Sequence, residues 1–365
     1  MNGIDRIILL FGGTSDERLV SVASAQNLLG VTLDDHGAPT PLEMEPWFIH
    51  PDGRAQACGA RVVLAHARPF ETPFVLDEPS ASRPSLEAGL DSIAPSPGTV
   101  FLLAVHGGQE EDGTLQRRLE AGGVSFTGSG SEASALCFDK QGAKAVVRRH
   151  GVEVARGEVL HGGAAGGGEA GLRGALSDSL RDVGPVIVKP VRGGSSLGLH
   201  YVLDRKDIEP TAAAVARSSE PFLMEELVTG TEVSIGVIEH AGELRALPGT
   251  EIRVAPGSRF DYEGKYLGKG VREVTPAEIA PARMAEAQRV AVLAHRVFGC
   301  AGYSRTDVII RDDGTPVFLE TNSLPGLTQS SLVPQQLAAA GISLSSFLST
   351  QLTLAAKRNH LRGPF

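Results

Sequence analysis

Lys189-Pro190-Val191-Arg192-Gly193-Gly194-Ser195-Ser196-Leu197-Gly198 is the stretch that decides the fold. The β-branched run Pro185-Val186-Ile187-Val188-Lys189 reads as a buried strand. The strand ends in a lysine and passes at once into a loop of glycine and serine. Glycine lets backbone N–H groups close over an anion, and hydroxyls add donors. A lysine at the strand end supplies a point charge for phosphate. The spacing is not that of a Walker A loop, and the same residues also suit a plain hairpin turn.

Outward from this loop, strands alternate with helices. Downstream, Phe222 to Glu226 and Glu232 to Ile238 read as strands. Met284, Ala287, Ala291, Ala294 and Phe298 mark a helix face ended by Gly299. Val308 to Ile310 and Val317 to Glu320 form a hairpin around Asp312-Asp313-Gly314. Upstream, Asp139 opens a helix with Ala143, Val146, Val147 and His150 on one face and Gly151 at its end. His161 to Gly171, rich in Gly and Ala, reads as a surface loop. Thr99 to Val105 is a buried strand ending at His106-Gly107-Gly108, Thr114 to Ala121 a helix, and Val124 to Phe126 a short strand. At the start, Ile7 to Phe11 is a strand and Gly12-Gly13-Thr14-Ser15 a turn. Ser15 is placed to cap a helix from about Asp16 to Leu29, with Asp16 and Glu17 in its first turn. Between 34 and 97 the periodicity is weak, and only Trp47-Phe48-Ile49 reads as extended. The alternation makes this an α/β protein.

The chain has 365 residues, 42% hydrophobic and 21% charged, which excludes wholesale disorder and suggests two to three domains. Its 34 basic and 43 acidic residues, net -9, exclude a strongly basic nucleic-acid binder and leave room for a local basic site. Cys58, Cys137 and Cys300 have no metal-ligand spacing and form no disulfide framework, so three reduced thiols are expected. The first apolar run is short and reads as a strand, not as a signal peptide or membrane span; the cytoplasm is the expected location.

Asp307, Glu320 and Asn322 come together at one end of the late hairpin. Glu320 and Asn322 are two apart and share a face of an extended chain. Three hard oxygen ligands on one face suit Mg²⁺, which takes carboxylates together with substrate phosphates; a solvated acidic rim is the plainer alternative. Arg305 shares that face, and with the turn Pro325-Gly326 it suits a developing oxyanion; its alternative is a surface salt bridge. Arg259-Phe260-Asp261-Tyr262-Glu263-Gly264-Lys265-Tyr266, flanked by Gly257 and Gly268, has the composition of a lid over a ligand. An ordinary surface loop has it too.

Taken together these residues resemble the ATP-grasp superfamily and, within it, the D-alanine–D-alanine ligases. The matching stretches follow the family's order along nearly the whole chain. They are Phe11 to Arg18 with Val20-Ser21, His106 with Glu111 to Gln116, and Thr127 to Gly130 with Ser134-Ala135 and Asp139-Lys140. They continue with Val188 to Gly198, Asp261 to Tyr266, Gly302 to Asp307, and Glu320 to Thr328 running into Ser331-Leu332-Val333-Pro334. One such match is weak; seven in order are specific. Residues 31 to 97 match poorly.

The resemblance implies a three-domain α/β (α+β) ATP-grasp fold: an N-terminal parallel-sheet domain over 1–136, a central subdomain over 137–227 and a C-terminal subdomain over 228–365, with a lid at about 257–270. It implies ATP-dependent joining of two D-alanines for peptidoglycan precursors, with two Mg²⁺ (or Mn²⁺), and a homodimer that binds neither nucleic acid nor membrane. Lys140, Lys189, Ser196 and, from the lid, Lys265 would hold ATP. Glu225, Glu226 and Val228 would contact adenine, and Glu232 the ribose. Asp307, Glu320 and Asn322 would bind the metals. Glu17 would hold the first D-alanine's ammonium, with His106 nearby, and Ser195 and Tyr266 would hydrogen-bond with Glu17 and close the lid. Arg305 and the Gly326 N–H would form the oxyanion hole, and Ser331 and the Leu332 N–H would take the second D-alanine's carboxylate. The sequence departs from the family at Leu19, where an acid is common, at Gly193, where many relatives have Glu, at Phe260, where some have Tyr, and at Glu226, often Lys. A ligase using a different acceptor such as D-serine, and a nucleotide-binding regulator that has lost ligation, are the alternatives. The intact Lys140, Lys189, Asp307, Glu320 and Asn322 speak against the regulator.

Overall fold

An apolar run without alternation needs cover on both faces. Ile7 to Phe11 receive it: all five side chains are buried, in the central strand β1 (Arg6–Gly12) of the first sheet. The structure is a computed structural model, and residues 3–31, 44–76, 98–194, 197–255 and 270–360 are described. Ser195, Ser196, Lys265, Tyr266 and almost all of the expected lid lie outside the described residues.

β2 (Met44–Ile49), β3 (Ala55–Ala57), β4 (Thr99–Leu103) and β5 (Ser125–Phe126) complete the first sheet, in the order β3-β2-β1-β4-β5. β1 runs parallel to both β2 and β4. The strand order therefore reverses at β1, and the loops at the carboxyl ends of β1 and β4 meet in the crevice where ligands of such sheets bind. The helix Arg18–Leu29 follows β1, but Ser15 does not cap it. Glu17 stands at the N-cap, its side chain making no capping bond to the helix, so Asp16 and Glu17 precede the first turn. Ser15 Oγ accepts from the Glu17 N–H at 3.2 Å, just ahead of the helix, and its hydroxyl donates to the His106 carbonyl at 2.6 Å, across to the next strand's loop.

The chain continues through β6 (Glu153–Val154), β7 (Gly157–Leu160), β8 (Val186–Pro190), β9 (His200–Val202) and β10 (Phe222–Glu226). The last four form an antiparallel sheet in the order β7-β10-β8-β9. Strand alternation sorts its faces. Val186, Val188, Phe222 and Met224 pack against Leu172, Leu176, Ala212 and Val215 of two covering helices, while Ile187, Lys189 and Glu225 face an open cleft. Residues 161–171 are not simply a surface loop. A 3-10 turn occupies Gly163–Gly166, and the helix Gly168–Asp182 begins there, pinned by buried Leu172 and Leu176.

The third sheet is built by β11 (Thr231–His240), β12 (Glu243–Ala246), β13 (Thr250–Val254), β14 (Val271–Val274), β15 (Tyr303–Ile310) and β16 (Pro316–Asn322). Its order is β14-β13-β11-β15-β16-β6, with β12 paired to β11. The helices Lys140–Arg149 and Pro281–Val297 cover one face through Ala143, Val147, Ala287, Val290, Ala291 and Ala294. Gly314, at φ +92, closes the β15–β16 turn. The hairpin register shifts between Asp307 and Val308. This bulge puts two consecutive residues, Leu319 and Glu320, on the cleft side. Among the described residues no single helix is long and apolar enough to cross a membrane.

Candidate active site

Two cavities meet at one wall. Glu17 and His106, from the loops after β1 and β4, open into a pocket whose far side is Arg305, Asp307, Glu320, Asn322 and the segment Leu324 to Leu332. A cleft of about 470 Å³ lies between the second and third sheets. Gly194, Asp307 and Glu320 line both.

Glu17 is buried, and glycine makes room for its carboxylate on two sides. A Cβ at Gly107, which has φ +70, would come within 2.4 Å of Glu17 Oε2, and one at Gly194 within 3.2 Å. The glycine loop after β8 thus reaches the N-terminal domain. His106 Nδ1 lies 3.2 Å from the Leu324 carbonyl and Nε2 3.1 Å from Ser24 Oγ. The carbonyl can only accept, so Nδ1 is assigned the proton. Burial pushes the His106 pKa down to about 4, against the Leu324 hydrogen bond, so the ring is neutral at pH 7. Beside it, burial and then the Glu17 charge push the Glu111 carboxyl up to about 7.

The hairpin gathers the proposed metal ligands. Asp307 pairs directly with Glu320, and Arg305 with Asn322. Arg305 grips Asp307 in a bidentate pair, Nε to Oδ1 at 3.0 Å and Nη2 to Oδ2 at 2.9 Å, and Ser234 Oγ also donates to Asp307. This pair is largely buried, not a surface salt bridge. At the pocket's other end, Ser331 is the N-cap of the helix Leu332–Ala339. A Cβ at Gly326 would sit 2.8 Å from Ser331 Oγ, so glycine lets that turn close on the helix start. Ser331 Oγ lies 2.7 Å from Thr328 Oγ1, while the Leu332 N–H falls in the first turn, where helices offer no internal acceptor. Buried Gln336 anchors this helix to β11, donating to the Ser234 carbonyl at 2.9 Å and accepting from the Gly236 N–H at 2.7 Å.

Lys140, Lys189, Glu225, Glu226, Val228 and Glu232 all line the cleft, with Ile187, Leu199, Tyr201, Ile309 and Leu319 as its apolar walls. Lys140 Nζ is 3.3 Å from Glu320 Oε2 and also donates to the Gly193 carbonyl. Glu225 is held between Lys189, at 3.0 Å, and Lys144. Burial pushes the Glu225 carboxyl up, and the two lysines more than offset it, so it stays ionised below its usual range. The Glu226 carboxylate is turned away to Arg156, at 2.8 Å, and Arg311, at 3.2 Å. Its N–H bonds the Arg156 carbonyl at 2.9 Å.

Residues 6–129 match the sequence model for the D-ala D-ala ligase N-terminus, and residues 178–353 that for the D-ala D-ala ligase C-terminus. A D-alanine--D-alanine ligase of Leptospira interrogans is 36% identical over 97% of this chain and 99% of its own length. The chain belongs to the D-alanine–D-alanine ligase family. A family relative from Cupriavidus pinatubonensis is 32% identical over 98% of this chain and 94% of its own length. Among solved structures, VanG D-Ala:D-Ser ligase from Enterococcus faecalis superposes with a TM-score of 0.75 at 26% identity, covering 96% of this chain and 99% of that one. The D-alanine--D-alanine ligase from Bacillus anthracis complexed with ATP superposes at 0.70 with 25% identity, covering 100% of both chains. The ATP-grasp fold expected for the family is thus the fold observed.

The family motifs alone leave three site residues without a role. Glu111 lies inside a quoted motif, Lys144 stands one turn after Lys140 on the same helix face, and Glu273 has no local signal.

Proposed function

We propose that this chain is an ATP-dependent, ADP-forming ligase that joins two D-alanines through an acyl phosphate. The observation that carries the reading is the meeting of the two cavities. A cleft with apolar walls and lysines opens, at Asp307 and Glu320, onto a pocket lined by Glu17, Glu111, Glu273 and, among the described residues, one arginine. An acidic pocket suits ammonium groups and divalent cations, and the lysines next door suit phosphates.

Asp307, Glu320 and Asn322 would hold two Mg²⁺. The donor set fits: hard oxygens on one hairpin end, from the Asp307 and Glu320 carboxylates and the Asn322 side-chain carbonyl. When bound, Mg²⁺ offsets charge on the phosphates during transfer. Glu17 would orient the first D-alanine by its ammonium, aiming its carboxylate at the γ-phosphate, while Lys140, Lys189 and Lys265 hold the phosphate oxygens. The second amine, after its ammonium has given up a proton, attacks the acyl carbon. The C–O bond to phosphate breaks, inorganic phosphate leaves and the new amide nitrogen loses its extra proton to phosphate or water, while Arg305 with the Gly326 N–H supports the oxyanion between. Arg305 is suited to this because its fork is already fixed by Asp307. Ser195 and Tyr266 would complete the closure that keeps water from the acyl phosphate, and Ser196 would join the lysines on ATP.

The reading includes three domains over 1–136, 137–227 and 228–365, with β6 inserted into the C-terminal sheet, and a homodimer making cell-wall precursors in the cytoplasm. Purified protein with ATP, Mg²⁺ and D-alanine should release ADP and form D-alanyl-D-alanine, read by mass. No ADP release with D-alanine, alone or with D-serine, would refute it. Glu320→Ala should abolish turnover while the circular dichroism spectrum stays that of the parent. Undiminished turnover would remove Glu320 from the metal site.

A further inference from the structure

Glu273 lines the acidic pocket beside Arg305, Gly326, Ser330 and Ser331, yet the family motifs give it no task. It stands on β14, opposite Ile252 of β13. Gln335 Nε2 donates to Glu273 Oε2 at 2.6 Å and to the Ser330 carbonyl at 2.8 Å, and Gln335 Oε1 accepts from Thr275 Oγ1 at 3.3 Å. One glutamine therefore fixes the carboxylate against the segment whose Ser331 and Leu332 are proposed to seat the acceptor's carboxylate. Burial pushes the Glu273 carboxyl up, while Gln335 and then Arg305 draw it down.

A carboxylate offers about four lone-pair sites, so the bond from Gln335 leaves it acceptor capacity. It gains nothing from a methyl side chain and would repel an acceptor carboxylate. The group it serves is a cationic donor. In an α-amino acid the ammonium is one carbon from the carboxylate, so an acceptor seated at Ser331 carries its nitrogen within this same pocket.

We propose that Glu273, steadied by Gln335, binds the α-ammonium of the acceptor amino acid and so favours an amine acceptor over a neutral hydroxy acid. The inference rests on the ligase reading. A hydroxy acid brings no cation, and it would leave a partly desolvated carboxylate without its counter-charge.

The test is Glu273→Gln, assayed with D-alanine as donor and with D-alanine and D-lactate as competing acceptors. Activation of the donor is followed separately by trapping the acyl phosphate with hydroxylamine, a nucleophile that is neutral at pH 7. Losing a charge-assisted hydrogen bond should lower kcat/KM for the acceptor D-alanine about ten- to a hundred-fold. Hydroxamate formation should be unchanged, and the D-lactate share of the product should rise. Gln335→Leu, which keeps the carboxylate and frees it, should shift both readouts in the same direction by less. Wild-type acceptor kinetics and an unchanged D-lactate share in either variant would overturn the role of Glu273. Wild-type protein that makes neither hydroxamate nor dipeptide would instead overturn the ligase reading itself.

Discussion

Lys144 brings an amine into a place where almost no water reaches, and burial, then the Lys189 charge, push its pKa down to about 7 against the pull of Glu225. It shares a helix face with Lys140, Ala143 and Val147, and from there it meets Glu225, which is 1% exposed, on a strand of another sheet. A buried ion pair adds little over an apolar pair, but removing one partner strands the other charge. Lys144→Met should therefore lower stability in denaturant unfolding, but by less than the ~3 to 5 kcal/mol of a wholly unpaired buried charge, because Lys189 still meets Glu225 at 3.0 Å. It should also raise KM for ATP more than KM for D-alanine, because Glu225 also fixes Lys189. Stability equal to the parent would show that Glu225 finds other compensation. The carboxylates at 17, 307 and 320 were legible because each stands in a local pattern, a turn or a hairpin end. Lys144 was not, because nothing in its own helix reveals which strand that helix covers.

At the scale of elements, the helix Lys140–Arg149 connects the glycine loop to the third sheet. Asp139 Oδ1 caps it by accepting from the Gly142 N–H at 3.0 Å, and the Lys140 N–H bonds the Val191 carbonyl at 3.1 Å. One cap thus orients both Lys140 and Lys144. Asp139→Ala should destabilise the protein by about 1 kcal/mol, seen as a lower Tm, and weaken ATP binding more than D-alanine binding. An unchanged Tm would mean that the bridge to Arg192 alone holds the helix start. This cap was readable from Asp139 and the apolar face behind it. Ser15 looked equally good as a cap; its Oγ does accept from the Glu17 N–H at 3.2 Å, but it also donates to a carbonyl 91 residues away, and the regular helix begins only at Arg18. The bulge at Asp307 was not readable either, since two strands with ordinary alternation give no sign of a shifted register.

Across the whole molecule, two buried histidines set the response to acid. His106 joins the helix after β1 to Leu324, and His295 lies 2.8 Å from Ser304 on β15. Burial pushes both down from 6.5 to about 4. The unfolded chain takes up their protons from pH 6.5 downward, and the folded chain only near 4. Their contribution is complete above 6.5 and is lost as the pH falls toward 4. Each should cost about 2 kcal/mol between pH 7 and pH 5. Glu111, pushed up to about 7, acts in the opposite sense over the same range, so the test is urea unfolding of the parent and of His295→Gln at both values; a difference between the two proteins that does not change with pH would refute it.

The α/β alternation, the glycine loop and the carboxylates of the late hairpin followed from the sequence, because periodicity, turn chemistry and ligand type act over a few neighbouring residues. The tertiary structure alone decided which distant residues meet. It set Cys137 and Cys300 with sulfurs 3.6 Å apart across 163 residues of chain, paired Lys144 with Glu225, turned Glu273 into the acidic pocket, and joined that pocket to the cleft at Gly194. Each of these depends on strand register and on how one sheet packs against another, and those are set by the burial of three cores at once, not by any short stretch of chain.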